Sequence, residues 1–183
     1  MRGQDRGELA TLDTMKYRLL PRADQQLLID ELATMSSFLA RRFGALTDDE
    51  AKRRVDHMLS PVEQVWHLAD LEHEGFGVRI ERLLNEDDAL LPDFDGAQEA
   101  ERRHYRAKSL REGMGAFAQA RQANIEALAR VTPSQWTRRG LQQGVGPVSL
   151  CDIPTMMVEH DAEHRLEINA WIVHSARHNG GAR

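Results

Sequence analysis

The sequence predicts an all-α protein built as a four-helix bundle. Three observations predict it. Almost every long segment repeats apolar residues at intervals of three and four, and none sustains the alternation of a strand. The opposite faces of those segments are polar, as expected of helices that bury one side. The chain has 183 residues, 41% hydrophobic and 29% charged, which is enough for one domain with a real core. No repeat at the 20–50-residue periods of solenoids is present.

The elements follow in order. Residues 1–21 are mixed and read as an N-terminal arm or a short helix. Pro21 suits a helix start. LLIDELATMSSFLARRF then marks helix one, about 22–43, with Gly44 as its stop. Helix two starts at Ser60, with Pro61 at the first helical position and Glu63 at the third, and runs to about Asn85. EDDALLPDFDGAQ reads as a long loop containing Pro92 and Gly96. Helix three is expected from about Gln98 to Arg130, weakened or bent at Gly113 and Gly115. Thr132 and Pro133 open a turn in which Trp136 is a core anchor, and GLQQGVGPV is the most turn-rich stretch. Helix four starts at Ser149, tolerates Pro154 and continues to about His174. The bundle domain therefore spans 22–175, with a flexible tail at 176–183.

The formal charge of −5 argues against a general nucleic-acid binder. Cys151 is the only cysteine, so no internal disulfide forms, which fits a reducing compartment. The N-terminus has no apolar signal-peptide core, and no apolar run approaches the ~20 residues of a membrane span. A cytoplasmic protein with no membrane partner is the expectation.

Chemistry concentrates in 158-VEHDAEHRLEINAW-171. On a helix, His160 and His164 lie roughly 40° apart, on the face that carries Met156, Met157, Ile168 and Trp171. Two imidazoles four residues apart on one face can reach one metal ion. The competing reading is a pair of core histidines satisfied by carboxylates or backbone. Peptidase patterns fit poorly. H-E-x-x-H needs Glu where Asp161 stands, and His160-Asp-Ala-Glu163-His164 matches an inverted zincin but has only Glu167 as an acid downstream. A ferritin-like di-iron site has one formal match, Glu101-x-x-His104, in a charged run. A third ligand must come from another helix, and His57, His67, His73 and His104 are candidates. The helix-two wheel alone favours His73, which lies on the stripe of Val62, Val65, Ala69, Phe76 and Ile80.

SPVEQVWHLAD, residues 60–70, resembles the second helix of the DinB/YfiT-like four-helix bundles. VSLCDIPTMMVEHDAEHRLEI resembles the last helix of that family, and LLPDFDGAQ its segment between helices two and three. The likeness spans most of residues 22–175, and the rather polar N-terminal segment departs from it. It implies three metal ligands, His67, His160 and His164, around a divalent ion, zinc or nickel, with solvent in the remaining positions. Relatives include thiol-dependent transferases and isomerases, which implies a small-molecule substrate and a low-molecular-weight thiol. A metal-water hydrolase rests on the same chemistry. The alternative is a non-catalytic metal-binding or stress-associated bundle whose ion is mainly structural. A homodimer is common among such bundles.

Ligating histidines usually donate their second N–H to an acid or carbonyl. Glu63, Asp70, Glu74, Glu163 and Glu167 are the candidates, with Glu167 favoured because it shares the face of His160 and His164. Trp66 and Trp171 line a pocket or belong to the core, Met156 and Met157 pack, His174 sits at the core edge, and Cys151 is too far from His160 to act as a nucleophile. No residue stands out as catalytic.

Overall fold

The computed structural model describes residues 20–180. Residues 1–19 of the expected N-terminal arm, and the tail beyond 180, lie outside them. Helix one comprises α1 (Arg22–Leu32) and α2 (Thr34–Phe43). The Thr34 hydroxyl takes the Glu31 carbonyl at 2.7 Å, and the helix slips at Ala33. A short α3 (Asp48–Ala51) follows, capped by Thr47 and Glu50.

Helix two runs from Pro61 to Asn85, in accord with its expected span, but in three parts. These are α4 (Pro61–Asp70), a π-helical turn (Leu71–Gly77) and α5 (Val78–Asn85). Asn124 explains the wide turn: its side-chain amide donates to the Glu72 carbonyl at 2.8 Å, which draws that oxygen from the helical ladder.

The expected third helix is two helices. α6 (Gly96–Arg102) ends before His104, which holds φ 51° and ψ 50°. A 3₁₀ turn at Tyr105–Ala107 then leads to α7 (Leu110–Ala129). Ser109 caps α7 by accepting from the Glu112 N–H at 3.3 Å. Gly113 does not break α7; it lets the Trp66 indole approach.

α8 (Asp152–Gly180) runs past the expected end near His174. Ser149 precedes it, and Asp152 accepts from both the N–H and the hydroxyl of Ser149, at 2.7 and 2.8 Å.

A small sheet accompanies the helices. β1 (Ala89–Leu91) pairs in parallel with β2 (Arg139–Gln142), which pairs antiparallel with β3 (Gly146–Ser149). Strands of three or four residues are too short to show alternation. Gly144 and Gly146, at φ 76° and 109°, make the hairpin turn.

α4 packs against α7, and α1 against α8 and α7. The core has two parts. One gathers Ile29, Leu71, Ile80, Trp136, Val148 and Met157 beneath the sheet. The other gathers Met35, Phe43, Leu68, Phe117, Ile168 and Trp171. No helix among the described residues is long and apolar enough to cross a membrane.

Candidate metal centre

The site falls where the two apolar clusters meet. On α4 and the π turn, Leu68 packs into one cluster and Leu71 into the other. On α8, Met157 belongs to the first, and Ile168 and Trp171 to the second. His67, His160 and His164 stand between these anchors, so both helices are held in phase on either side of the rings.

The three histidines converge. One nitrogen from each ring lies within 4.8 Å of the others. The Nε2 atoms of His160 and His164 are 3.1 Å apart. The His67 ring centre is 5.6 Å from that of His160 and 5.1 Å from that of His164. Burial, then the neighbouring His164, pushes the His67 pKa down to about 4. Burial, then His164 and His67, pushes that of His160 down to about 3. Burial also lowers His164. The rings are therefore neutral at pH 7, with lone pairs to offer a cation.

Gln64 sets the direction of one of them. Its side-chain carbonyl lies 2.6 Å from His164 Nδ1 and accepts that N–H, which leaves His164 Nε2 facing the cluster as an acceptor. The Gln64 amide donates to Glu167 at 3.0 Å, and Glu167 itself lies 3.1 Å from His164 Nδ1. This is the partner arrangement that orients a ligating imidazole. With His164 Nε2 as an acceptor, His160 Nε2 either donates to it or shares a cation with it. A separation of 3.1 Å suits two ligands of one ion with bonds of about 2.1 Å each. The residues present fit a divalent ion held by three imidazoles.

His67 is set from the other side. Its ring lies against the backbone of Gly96, where a Cβ would overlap it, and near Phe94, 6.3 Å between ring centres. The Phe76 ring stands edge-on to His160 at 6.1 Å.

The remaining candidates lie elsewhere. His73, His57 and His104 are exposed. His174 is 3.0 Å from Asp56. Of the five acids, only Glu167 reaches the histidines. Glu63 pairs with Arg54 and accepts from Ser60, Asp70 accepts from Tyr105 and Arg103, Glu74 pairs with Arg103, and Glu163 is exposed. Trp66 is half-buried against α7 and donates to the Ser109 carbonyl, while Trp171 is core and donates to the Arg53 carbonyl. Cys151 is buried beside Ser149, and burial pushes its thiol up, which makes it inert.

Two features escaped the sequence reading. Gln64 is one; it precedes His67 by three residues on the same helical face, which is the signal that could have found it. The other is a buried cluster beside the site. The Arg121 guanidinium donates to Asp161 at 2.6 and 2.8 Å, to Glu72 at 2.9 Å and to the Leu32 carbonyl at 3.0 Å. Nothing in the local pattern marks it, because its members come from four helices.

Fold and site together define a helical bundle that gathers a three-histidine candidate metal site from its second and last long helices. The chain belongs to the DinB superfamily, whose family model matches residues 31–168. Among solved structures it is similar to YfiT from Bacillus subtilis, at 17% identity and a TM-score of 0.77 over 90% of this chain and 94% of that one. YfiT is described as "a probable metal-dependent hydrolase with an unusual four-helix bundle topology". No curated protein matches the chain.

Proposed function

We propose that this protein is a metal-dependent enzyme in which His67, His160 and His164 hold one divalent ion, zinc or nickel. One observation carries the reading: among the described residues no fourth acid, cysteine or histidine joins the three converging nitrogens. Structural zinc sites are closed by four protein ligands, whereas catalytic ones keep a position open. A purely structural ion is therefore the weaker reading. The description of YfiT as a probable metal-dependent hydrolase supports the same class.

A divalent ion supplies Lewis acidity, lowering the pKa of a water or thiol that shares its coordination. The protein's own part is positional. Gln64 fixes the His164 tautomer, Glu167 holds Gln64, and Gly96 leaves room for His67. The two apolar clusters flank the rings. Such an ion would suit hydrolysis of a small substrate by water or transfer of a group to a low-molecular-weight thiol.

The test is metal content by elemental analysis of untagged protein beside His67→Ala. About one zinc or nickel per chain is expected in the wild type and a large loss in the variant. Metal-loaded protein is then screened with activated esters alone and with thiols plus electrophiles. Absence of metal after reconstitution with zinc and nickel would remove the basis of the proposal.

A further inference from the structure

Arg79 lies on α5, just past the π turn. It is 4% exposed, and its Nε is buried without a partner. Among the described residues its guanidinium makes no hydrogen bond and no ion pair. The other arginine buried to this degree, Arg121, also leaves its Nε unpartnered, but both of its terminal nitrogens are bound, by two carboxylates and a carbonyl. Arg79 has only the Phe76 ring, 5.4 Å from its central carbon. A cation–π contact returns little against the cost of a buried cation with five donors.

Arg79 shares a neighbour with the histidine site. Phe76 carries Arg79 and also meets His160, at 6.1 Å between ring centres. The segment 93–96 lies near both groups. Phe94 and Gly96 lie against His67, and Asp93 is the carboxylate whose charge Arg79 feels. Asp93 is itself exposed, accepts from the Phe94 N–H at 2.8 Å and does not close to an ion pair with Arg79.

We propose that Arg79 is the anchor for an anionic group of the substrate, a carboxylate or a phosphate, bound beside the three-histidine site. A planar guanidinium takes either oxyanion through two parallel hydrogen bonds. It places the anion at one end of Phe76 and the group to be attacked toward His160 at the other. The proposal rests on the metal-enzyme reading only in making the anion part of a substrate; binding at Arg79 needs no metal.

The experiment uses inorganic phosphate and succinate as probes, titrated separately into metal-free and zinc-treated full-length protein. The Arg79 Nε–H resonance and the Tm are followed, with zinc content measured in parallel. The expected result is a saturable shift of that resonance and a rise in Tm with at least one anion in both forms, and which anion binds more tightly tells phosphate from carboxylate. Arg79→Gln should weaken binding at least tenfold, and Arg79→Lys should weaken it less, with zinc content unchanged in both. If Arg79→Gln fails to fold, Arg79→Met replaces it, and its Tm should no longer respond to the anion. The proposal is overturned if neither anion moves the Arg79 resonance, or if the folded variant binds as the wild type does. A wild type that takes up no zinc but binds the anion through Arg79 would sink the metal reading and leave this one standing.

Discussion

At the scale of single residues, the site depends on which ring nitrogens face inward, and small groups decide that. Gly96 is the sharpest case. A methyl group there would overlap the His67 ring, and the ring, not the backbone, can give way. Gly96→Ala should therefore leave the fold intact, with Tm shifted by a few degrees at most, and lower metal affinity by about tenfold or more. Competition with a chelating dye measures it; wild-type affinity in a folded variant would show that His67 is not held by that contact. His73→Ala should keep full metal content, because His73 is exposed. His160 and His164 were legible from their spacing on one helical face, whereas His67 came from the family likeness, because the helix-two wheel alone favours His73. The wheel counts apolar residues, yet α4 turns Glu63, Gln64 and Asp70 into the protein as well as Val65 and Leu68. The π turn then breaks the constant rotation that the wheel assumes. His73 falls on the apolar stripe only on paper.

At the scale of elements, the starts of helices were clearer than their continuity. Ser60, Pro61 and Glu63 announce α4, and the side chains carry that announcement into the structure. The Glu63 carboxylate accepts from the Ser60 N–H at 3.0 Å and from its hydroxyl at 2.6 Å, and Arg54 donates at 2.9 Å. Burial works against the charge, but these bonds outweigh it and hold the pKa at about 2, below the ordinary 4.5. A carboxyl whose folded pKa is depressed contributes stability above its unfolded value and loses it as pH falls through the folded one. The contribution of Glu63 is thus complete above pH 4.5 and fades toward pH 2. Glu63→Gln should lower Tm at pH 6 and converge with the wild type near pH 2, as followed by circular dichroism. A constant offset across that window would mean that the carboxylate charge contributes nothing. The division of the third helix was harder to see. Ser109 and Glu112 form a start signal inside a helical pattern, but nothing local requires His104 to adopt a left-handed conformation. Tyr105, buried, with its hydroxyl on Asp70 at 2.6 Å, supplies the reason from across the bundle.

At the scale of the molecule, the two apolar clusters are joined through a charged centre. Arg121 from α7 binds Asp161 of α8, Glu72 of the π turn and the carbonyl of Leu32 at the end of α1. Arg121, Glu72 and Asp161 are all 4% exposed or less. Asp161 follows His160 directly, so the ion pair fixes the rotation of α8 that points His160 and His164 at His67. Such a triad can be replaced by apolar groups at little cost, but removing one partner leaves the others charged and dry, which costs about 3–5 kcal/mol. Arg121→Met should therefore lose about that much in urea denaturation at pH 7. The triple variant Arg121→Met, Glu72→Leu, Asp161→Leu should recover most of it while its metal affinity stays low, because the restraint on α8 is gone. The pH dependence gives a second check. Burial raises the Glu72 pKa above 4.5 even with Arg121 in place, and without the guanidinium it rises further. A group whose folded pKa is raised binds more protons folded than unfolded, so stability increases as pH falls. The deficit of Arg121→Met should shrink as pH is lowered from 7 toward 4.5. A deficit that stays constant with pH would mean that lost packing on Phe117, rather than stranded carboxylates, is what the variant suffers.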